Sequence, residues 1–446
     1  YYSPPLDTPP GEWSPENAEA FEGHMNLSRF KLVGDSLDLS TEQVILQVPT
    51  TRGICCHVGG HIDFDDQGNL YLSTGDDTNP FASDGYAPID ERPGREPYDA
   101  QRTAANTNDL RGKLLRIKVR PDGSYTIPEG NLFGEGGKYP NADPDKTRPE
   151  IYAMGLRNPF RFAVDGDGTV YLGDYSPDAS QPNPERGPAG HGEWMIIEEA
   201  GNYGWPYCAG PNMPYRDYDF ATGRSGPAFD CEGGPVNDSP NNTGLRKLPP
   251  AVPPDVWYPY GESQQFPELG TGGIGPMGGP VYDYDPDLRS ETKFPAYYDG
   301  VPFFYEWTRD YVKEFRLDEE GRLFKINPFL PNTIFDNPMD MEFGPDGSLY
   351  VLEYGDGYFS QNPEAQLARI DYVKGARSPV ARASAEPTSG QAPLTVQFSS
   401  EGSYDPDPGD SIAYAWDFQN DGTVDSTEPN PTYTYTQNGV YTAQLT

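Results

Sequence analysis

Basic residues are scarce in this sequence: 32 Lys and Arg stand against 69 Asp and Glu, for a formal net charge of -37. A surface of that sign repels nucleic-acid phosphates and anionic headgroups, so neither is expected as a partner. No run of about 18 apolar residues occurs, so no helix is expected to insert into a membrane. A charged-then-apolar leader is also missing; the chain opens Tyr1-Tyr2-Ser3-Pro4-Pro5, which reads as the end of a strand and as the start of a fragment. Cysteines number four, Cys55, Cys56, Cys208 and Cys231, and none of their spacings is that of a zinc site. An even count fits disulfides formed in an oxidising compartment, so an extracellular location is expected, with Cys208 and Cys231 stapling the insertion between them.

Punctuation and aromatics are abundant instead. Gly 50 and Pro 49 make up more than a fifth of 446 residues, too much for long helices, and Tyr 31 and Phe 21 favour pleated, half-buried surfaces. The expected class is all-β. A phrase recurs along the chain: Asp66-Gln67-Gly68-Asn69-Leu70-Tyr71-Leu72, then Asp167-Gly168-Thr169-Val170-Tyr171-Leu172, then Asp346-Gly347-Ser348-Leu349-Tyr350-Val351, with weaker copies at Asp122-Gly123 and Glu320-Gly321. Each reads as a glycine turn feeding a strand of alternating apolar residues. Hairpins repeated with long insertions between them are the signature of propeller blades, and the longest loops, 77–108 and 204–273, are the ones expected to carry function. Composition shifts near residue 375. The expected division is a β-propeller over 1–374, a linker at 375–378, and a small immunoglobulin-like β-sandwich over 379–446.

Histidines number only four, and His57 follows two adjacent cysteines in Cys55-Cys56-His57-Val58-Gly59-Gly60-His61. A disulfide between neighbours distorts the peptide joining them, and backbone strain is retained at functional sites. Separate buried thiols, or pairing of one cysteine elsewhere, are the alternatives. In Gly155-Leu156-Arg157-Asn158-Pro159, a guanidinium fork and an amide stand beside a rigid proline, suited to an anionic or carbonyl-bearing ligand. An ion pair with one of the many carboxylates is the plainer use of Arg157.

Taken in order, the run Cys55 to Asp77, Thr107-Asn108-Asp109-Leu110-Arg111-Gly112-Lys113, Leu156-Arg157-Asn158-Pro159 with Gly173-Asp174, and Gly201-Asn202-Tyr203-Gly204-Trp205-Pro206 resemble the glucose/sorbosone dehydrogenase family of soluble quinoprotein sugar dehydrogenases. The resemblance extends over roughly residues 20 to 373. It implies a six-bladed β-propeller, N-terminally incomplete here, that oxidises a sugar or polyol by hydride transfer to pyrroloquinoline quinone (PQQ) with Ca2+ as Lewis acid. By the same resemblance His57 is the base that takes the hydroxyl proton and Asp76 supports it. Arg157 stabilises charge on the quinone oxygen, Asn158 contacts the cofactor, and the loop Asp174-Tyr175-Ser176-Pro177-Asp178 holds calcium, its metal positions being Asp174, Ser176, Pro177 and Asp178. Cys55 and Cys56 are expected against the cofactor by analogy with another quinoprotein class. The electron acceptor is left open.

The sequence also departs from that family. No arginine stands in Asn337-Pro338-Met339-Asp340, and Asp283 occupies a position where a lysine would serve, which leaves Arg309 and Lys313 as substitutes for countercharge. A non-catalytic propeller that binds a glycan or a protein is therefore the alternative function. The C-terminal segment resembles a PKD domain through Asp405-Pro406-Asp407, Trp416-Asp417-Phe418 and Asn420-Asp421-Gly422, and a spacer or adhesion module is what that implies.

Overall fold

A computed structural model describes residues 13–52, 56–175, 177–357, 361–373, 375, 379–405, 407 and 410–446. Two units result: one holds the described residues as far as Leu288 together with Phe294–Ile370, the other Arg289–Lys293 and the described residues from Asp371 onward.

In the first unit the recurring turn is built by an aspartate that precedes its glycine by three positions. Asp65 Oδ1 accepts the peptide N–H groups of Gln67 and Asn69 at 3.0 and 2.8 Å, and Asp165 Oδ1 accepts those of Asp167 and Thr169 at 3.1 and 2.9 Å. Asp318 does the same for Glu320 and Arg322 at 3.0 and 2.9 Å. These carboxylates hold the backbone through an Asx-type turn, and Gly168 closes its copy at a φ of 93°, a conformation that costs a side-chain-bearing residue dearly. The strand tyrosine then locks back on the turn: Tyr71 and Tyr171 donate their hydroxyls to Asp65 and Asp165 at 3.4 and 3.2 Å.

Four antiparallel sheets follow one another among the described residues. The first contains Ile62–Phe64, Leu70–Thr74, Lys113–Val119 and Ile151–Met154, with Gly201–Asn202 added in parallel at its outer edge. The second contains Arg161–Val164, Val170–Asp174, Gly192–Ile197 and Val256–Tyr258. Pro276–Val281, Pro302–Glu306, Tyr311–Leu317 and Leu323–Phe329 make the third, and Pro338–Phe343, Leu349–Glu353 and Gln366–Ile370 the fourth. The first strands of successive sheets lie beside one another, so the sheets are blades of a β-propeller-type fold. Ahead of them the hairpin Glu22–Val33 with Ser36–Thr51 joins the first blade's core through Leu27, Leu46 and Val48.

Alternation fails where the blades stack. Ile151–Met154 and Val170–Asp174 are buried at every position, because these strands are covered on both faces and neither face is left for water. Between the second and third blades Trp194 packs on Tyr258, Phe304 and Phe315 with ring centroids 5.0, 5.6 and 5.6 Å away. The two long loops interlock. Asp99, fully buried, accepts from Ser239 Oγ at 2.7 Å and Asn241 Nδ2 at 2.9 Å, while Asn237 Nδ2 donates to the carbonyls of Gln101 and Ala105.

The second unit pairs Ser384–Glu386, Leu394–Ser399 and Thr432–Tyr435 in one sheet and Trp416–Asp417 with Gln444–Leu445 in another. Val396, Phe398, Trp416 and Phe418 fill the core of this immunoglobulin-like domain.

Candidate active site

The residues singled out from the sequence meet where the first blade's second strand ends. Thr74-Gly75-Asp76 is threaded between two loops: Asp76 N–H donates to the Arg157 carbonyl at 2.9 Å, and Asp77 N–H to the His57 carbonyl at 3.0 Å. Only glycine fits between them, since a Cβ on Gly75 would collide with the His57 carbonyl. One residue without a side chain thus lets the histidine loop and the arginine loop close on the same strand end.

His57 sits at a φ of 57°, which for a side chain of this kind marks a conformation held by its surroundings. Its side chain is 8% exposed, and Nδ1 lies 2.8 Å from Asp76 Oδ1. Asp76 is fully buried; Oδ1 also accepts the Thr78 N–H at 3.1 Å, and Oδ2 accepts the Trp205 indole N–H at 2.7 Å. Burial first, and then the Arg157 charge, push the His57 imidazole below its usual range against the opposing pull of Asp76 and Asp178. The ring is held as a neutral imidazole near pH 7.

Arg157 is placed by its backbone. Asp174 Oδ2 accepts the Arg157 N–H at 2.8 Å and Oδ1 the Asn158 N–H at 2.6 Å. The guanidinium reaches the Tyr175 carbonyl at 3.5 Å and lies 5.8 Å from the Trp205 ring centroid. Asn158 Oδ1 is buried with no hydrogen-bond partner among the described residues. Burial pushes the Asp174 carboxyl up to about 6, and Glu193, its cross-strand neighbour, is also pushed up by burial and by the Asp174 charge.

His57, Asp76, Arg157, Asn158 and Asp174 are therefore neighbours. Of the loop expected to hold calcium, Asp174 has both oxygens committed to peptide N–H groups, Pro177 is buried, and Asp178 is exposed and close enough to act on His57. Ser176 and Cys55 lie outside the described residues, and with Cys55 the question of a disulfide between neighbours; Cys56 is described, directly ahead of His57. Cys208 and Cys231 are joined by a disulfide with their Cα atoms 6.1 Å apart. Of the two substitutes for countercharge, Arg309 is taken up by backbone carbonyls and Lys313 has one donor engaged. Arg309 gives its donors to the carbonyls of Gly273, Leu269, Gly270, Pro259 and Gly272, and Lys313 gives Nζ to the Glu268 carbonyl.

Sequence reasoning assigned no role to Trp205, although the residue stood inside a quoted motif. A buried indole usually places its N–H on an acceptor, so a tryptophan within the motif was the available signal. Lys113, also inside a quoted motif, is buried with Nζ on the carbonyls of Thr103, Ala104 and Arg111 at 2.8, 3.0 and 2.7 Å. It supports the wall of the site instead of lining it.

A family profile described as Glucose / Sorbosone dehydrogenase matches residues 12–229, and one for the PKD domain matches residues 376–446. HIPL2 protein of Arabidopsis thaliana is 32% identical over 176 residues, 36% of this chain and 20% of that protein. Aldose sugar dehydrogenase YliI of Escherichia coli strain K12 is 26% identical over 181 residues, 39% of this chain and 37% of that protein. The match thus spans about a fifth of the Arabidopsis relative and little more than a third of the bacterial one. Among solved structures, a glucose dehydrogenase aligns at 18% identity with a TM-score of 0.46, covering 80% of this chain and 81% of that one. The PQQ-bound aldose sugar dehydrogenase of Streptomyces coelicolor aligns at 16% identity with a TM-score of 0.42, covering 80% and 77%. Residues 12–229 thus resemble the glucose/sorbosone dehydrogenase family, and residues 376–446 match a PKD domain.

Proposed function

We propose that this protein is an extracellular, calcium-dependent quinoprotein dehydrogenase that oxidises a sugar or polyol by hydride transfer to PQQ. The observation that carries the reading is the His57 Nδ1 to Asp76 Oδ1 contact of 2.8 Å, with the Arg157 charge acting on the same imidazole. Such a dyad leaves Nε2 as a lone pair on a neutral ring, which is what a base needs to accept a hydroxyl proton at neutral pH. Arg157 supplies positive charge and N–H donors, and the buried Asn158 Oδ1 supplies an acceptor that lacks a donor among the described residues. Those groups fit the carbonyl edge of a flat quinone. PQQ, when bound, supplies the two-electron sink for the hydride.

Among the described residues of the calcium loop, the Tyr175 and Pro177 carbonyls and the Asp178 carboxylate are hard oxygens of the kind that suits calcium. Asp174 acts behind them as the clamp on Arg157 and Asn158. The Cys208–Cys231 disulfide supports an oxidising, extracellular setting.

Turnover is tested by adding PQQ and calcium to the full chain and following sugar-dependent reduction of an electron-acceptor dye. Activity in the wild type that disappears in His57→Ala supports the reading, and no reduction of dye at any cofactor concentration overturns it. The commitment of Arg309 to backbone carbonyls favours the alternative, a non-catalytic glycan- or protein-binding propeller with its PKD domain as spacer. Glycan binding without PQQ binding selects that alternative.

A further inference from the structure

Trp205 joins the two halves of the site. Its indole N–H donates to Asp76 Oδ2 at 2.7 Å, and its ring lies 5.8 Å from the Arg157 guanidinium. The residue is 5% exposed and fixed on several sides. Its backbone N–H donates to the Gly155 carbonyl at 3.0 Å, two positions ahead of Arg157. Tyr215 packs edge-on against the ring at 6.1 Å, and three positions further along the chain Cys208 is bridged to Cys231.

The donor inventory around Asp76 has a chemical consequence. An indole N–H donates and never accepts, and a peptide N–H behaves likewise. Trp205 on Oδ2 and Thr78 on Oδ1 are therefore two fixed donors, and each aims a hydrogen at the oxygen it faces. A proton on Oδ2 would point at a donor. The proton between Asp76 and His57 then resides on Nδ1, and the imidazole is confined to one tautomer with Nε2 unprotonated. The geometry points to Trp205 as the positioning residue that, through Asp76, fixes His57 in its Nδ1–H form and keeps Nε2 free as a base. Calling Nε2 a base rests on the dehydrogenase reading; the tautomer itself does not.

The test is therefore made first without cofactor. In the full chain labelled with 15N-histidine, long-range 1H–15N correlations distinguish a protonated from an unprotonated ring nitrogen, and the four histidines are assigned by single substitutions. Wild type is expected to show His57 with Nδ1 protonated and Nε2 unprotonated. Trp205→Phe, which keeps an aromatic ring and removes the donor, is expected to give a mixed tautomer population. A folded Trp205→Phe whose His57 signals match wild type overturns the inference. Should that variant fail to fold, benzothienylalanine at position 205 retains the bicyclic shape with sulfur in place of N–H, and the same two outcomes decide.

In the PQQ- and calcium-loaded enzyme, Trp205→Phe is expected to lower kcat by about 10- to 100-fold with KM little changed, the usual cost of losing a partner that orients a histidine from behind. A loss confined to KM overturns the positioning role. A wild type without turnover sinks the dehydrogenase reading alone, because the tautomer measurement needs neither sugar nor quinone.

Discussion

Asp174 holds Arg157 by its backbone and not by its charge: Oδ2 accepts the Arg157 peptide N–H at 2.8 Å, while the guanidinium extends the other way, to the Tyr175 carbonyl. The other oxygen takes the Asn158 N–H, so one buried carboxylate sets the direction of two consecutive side chains. Asp174→Ala leaves two buried N–H groups without an acceptor and is expected to cost about 3 kcal/mol in urea unfolding. Asp174→Asn, with one acceptor kept and an amide facing a donor, is expected to fall between that variant and wild type. An Asp174→Ala variant as stable as wild type would remove the clamp from the account.

His57 should titrate low. Burial and the Arg157 charge both disfavour the imidazolium, so the midpoint lies below the ordinary value of 6.5. The base form of the ring is the neutral one, so activity that depends on it persists as pH falls past 6.5 and is lost only as pH drops through the lowered midpoint. Arg157→Gln removes a charge that lowers the midpoint, and is expected to move it upward. NMR titration of His57 in the cofactor-free chain reads both values; an Arg157→Gln midpoint at or below that of wild type contradicts the electrostatic argument.

How much of this was legible beforehand depended on whether a residue acts along the chain or across it. The glycine turns and their strands could be read because the signal is local, yet the residue that builds each turn, Asp65, Asp165 or Asp318, sits one or two positions ahead of the phrase that catches the eye. The expected alternation along the blade strands is lost at Val170–Asp174, since burial on both faces is a property of the stacked blades and not of one hairpin. His57, Asp76 and Arg157 came from motif order, and the sequence contains nothing that shows Gly75 letting their loops meet. Arg309 was a candidate for countercharge because its charge is visible in sequence, whereas the five carbonyls that occupy it are not.

Lys113 gives a pH-dependent stability of predictable sign. Burial is the main cause that pushes its amine down to about 7 in the folded chain, from an ordinary value of 10.5. Between those values the unfolded chain binds a proton that the native chain has released, so this residue's contribution to stability rises with pH through that window. Lys113→Met lacks that slope and also strands the carbonyls of Thr103, Ala104 and Arg111, for a loss of about 3 kcal/mol or more at neutral pH. Denaturant unfolding across the window is expected to show wild type gaining on Lys113→Met as pH rises; a constant difference means that the amine keeps its proton throughout.

The Cys208–Cys231 bridge closes a loop with a sequence separation of 23, so its removal is expected to cost about 3 kcal/mol through the freedom returned to the unfolded chain. Both cysteines are buried, at 3% and 4% exposure, which keeps thiolates away from the sulfurs while the protein stays folded. Mild reductant should therefore leave the bridge intact in native buffer and open it in denaturant. A non-reducing digest analysed by mass spectrometry is expected to yield one cross-linked peptide pair that contains both residues, and recovery of both as free thiols would refute the assignment. The double variant Cys208→Ala with Cys231→Ala has a further local effect to report. Cys208 N–H donates to the Gly204 carbonyl at 3.0 Å, next to Trp205, so slack in the insertion reaches the indole directly. The expected result is a weaker near-UV tryptophan signal together with the lost stability, and loss of stability with an unchanged signal would show that Trp205 is held by its own contacts without help from the bridge.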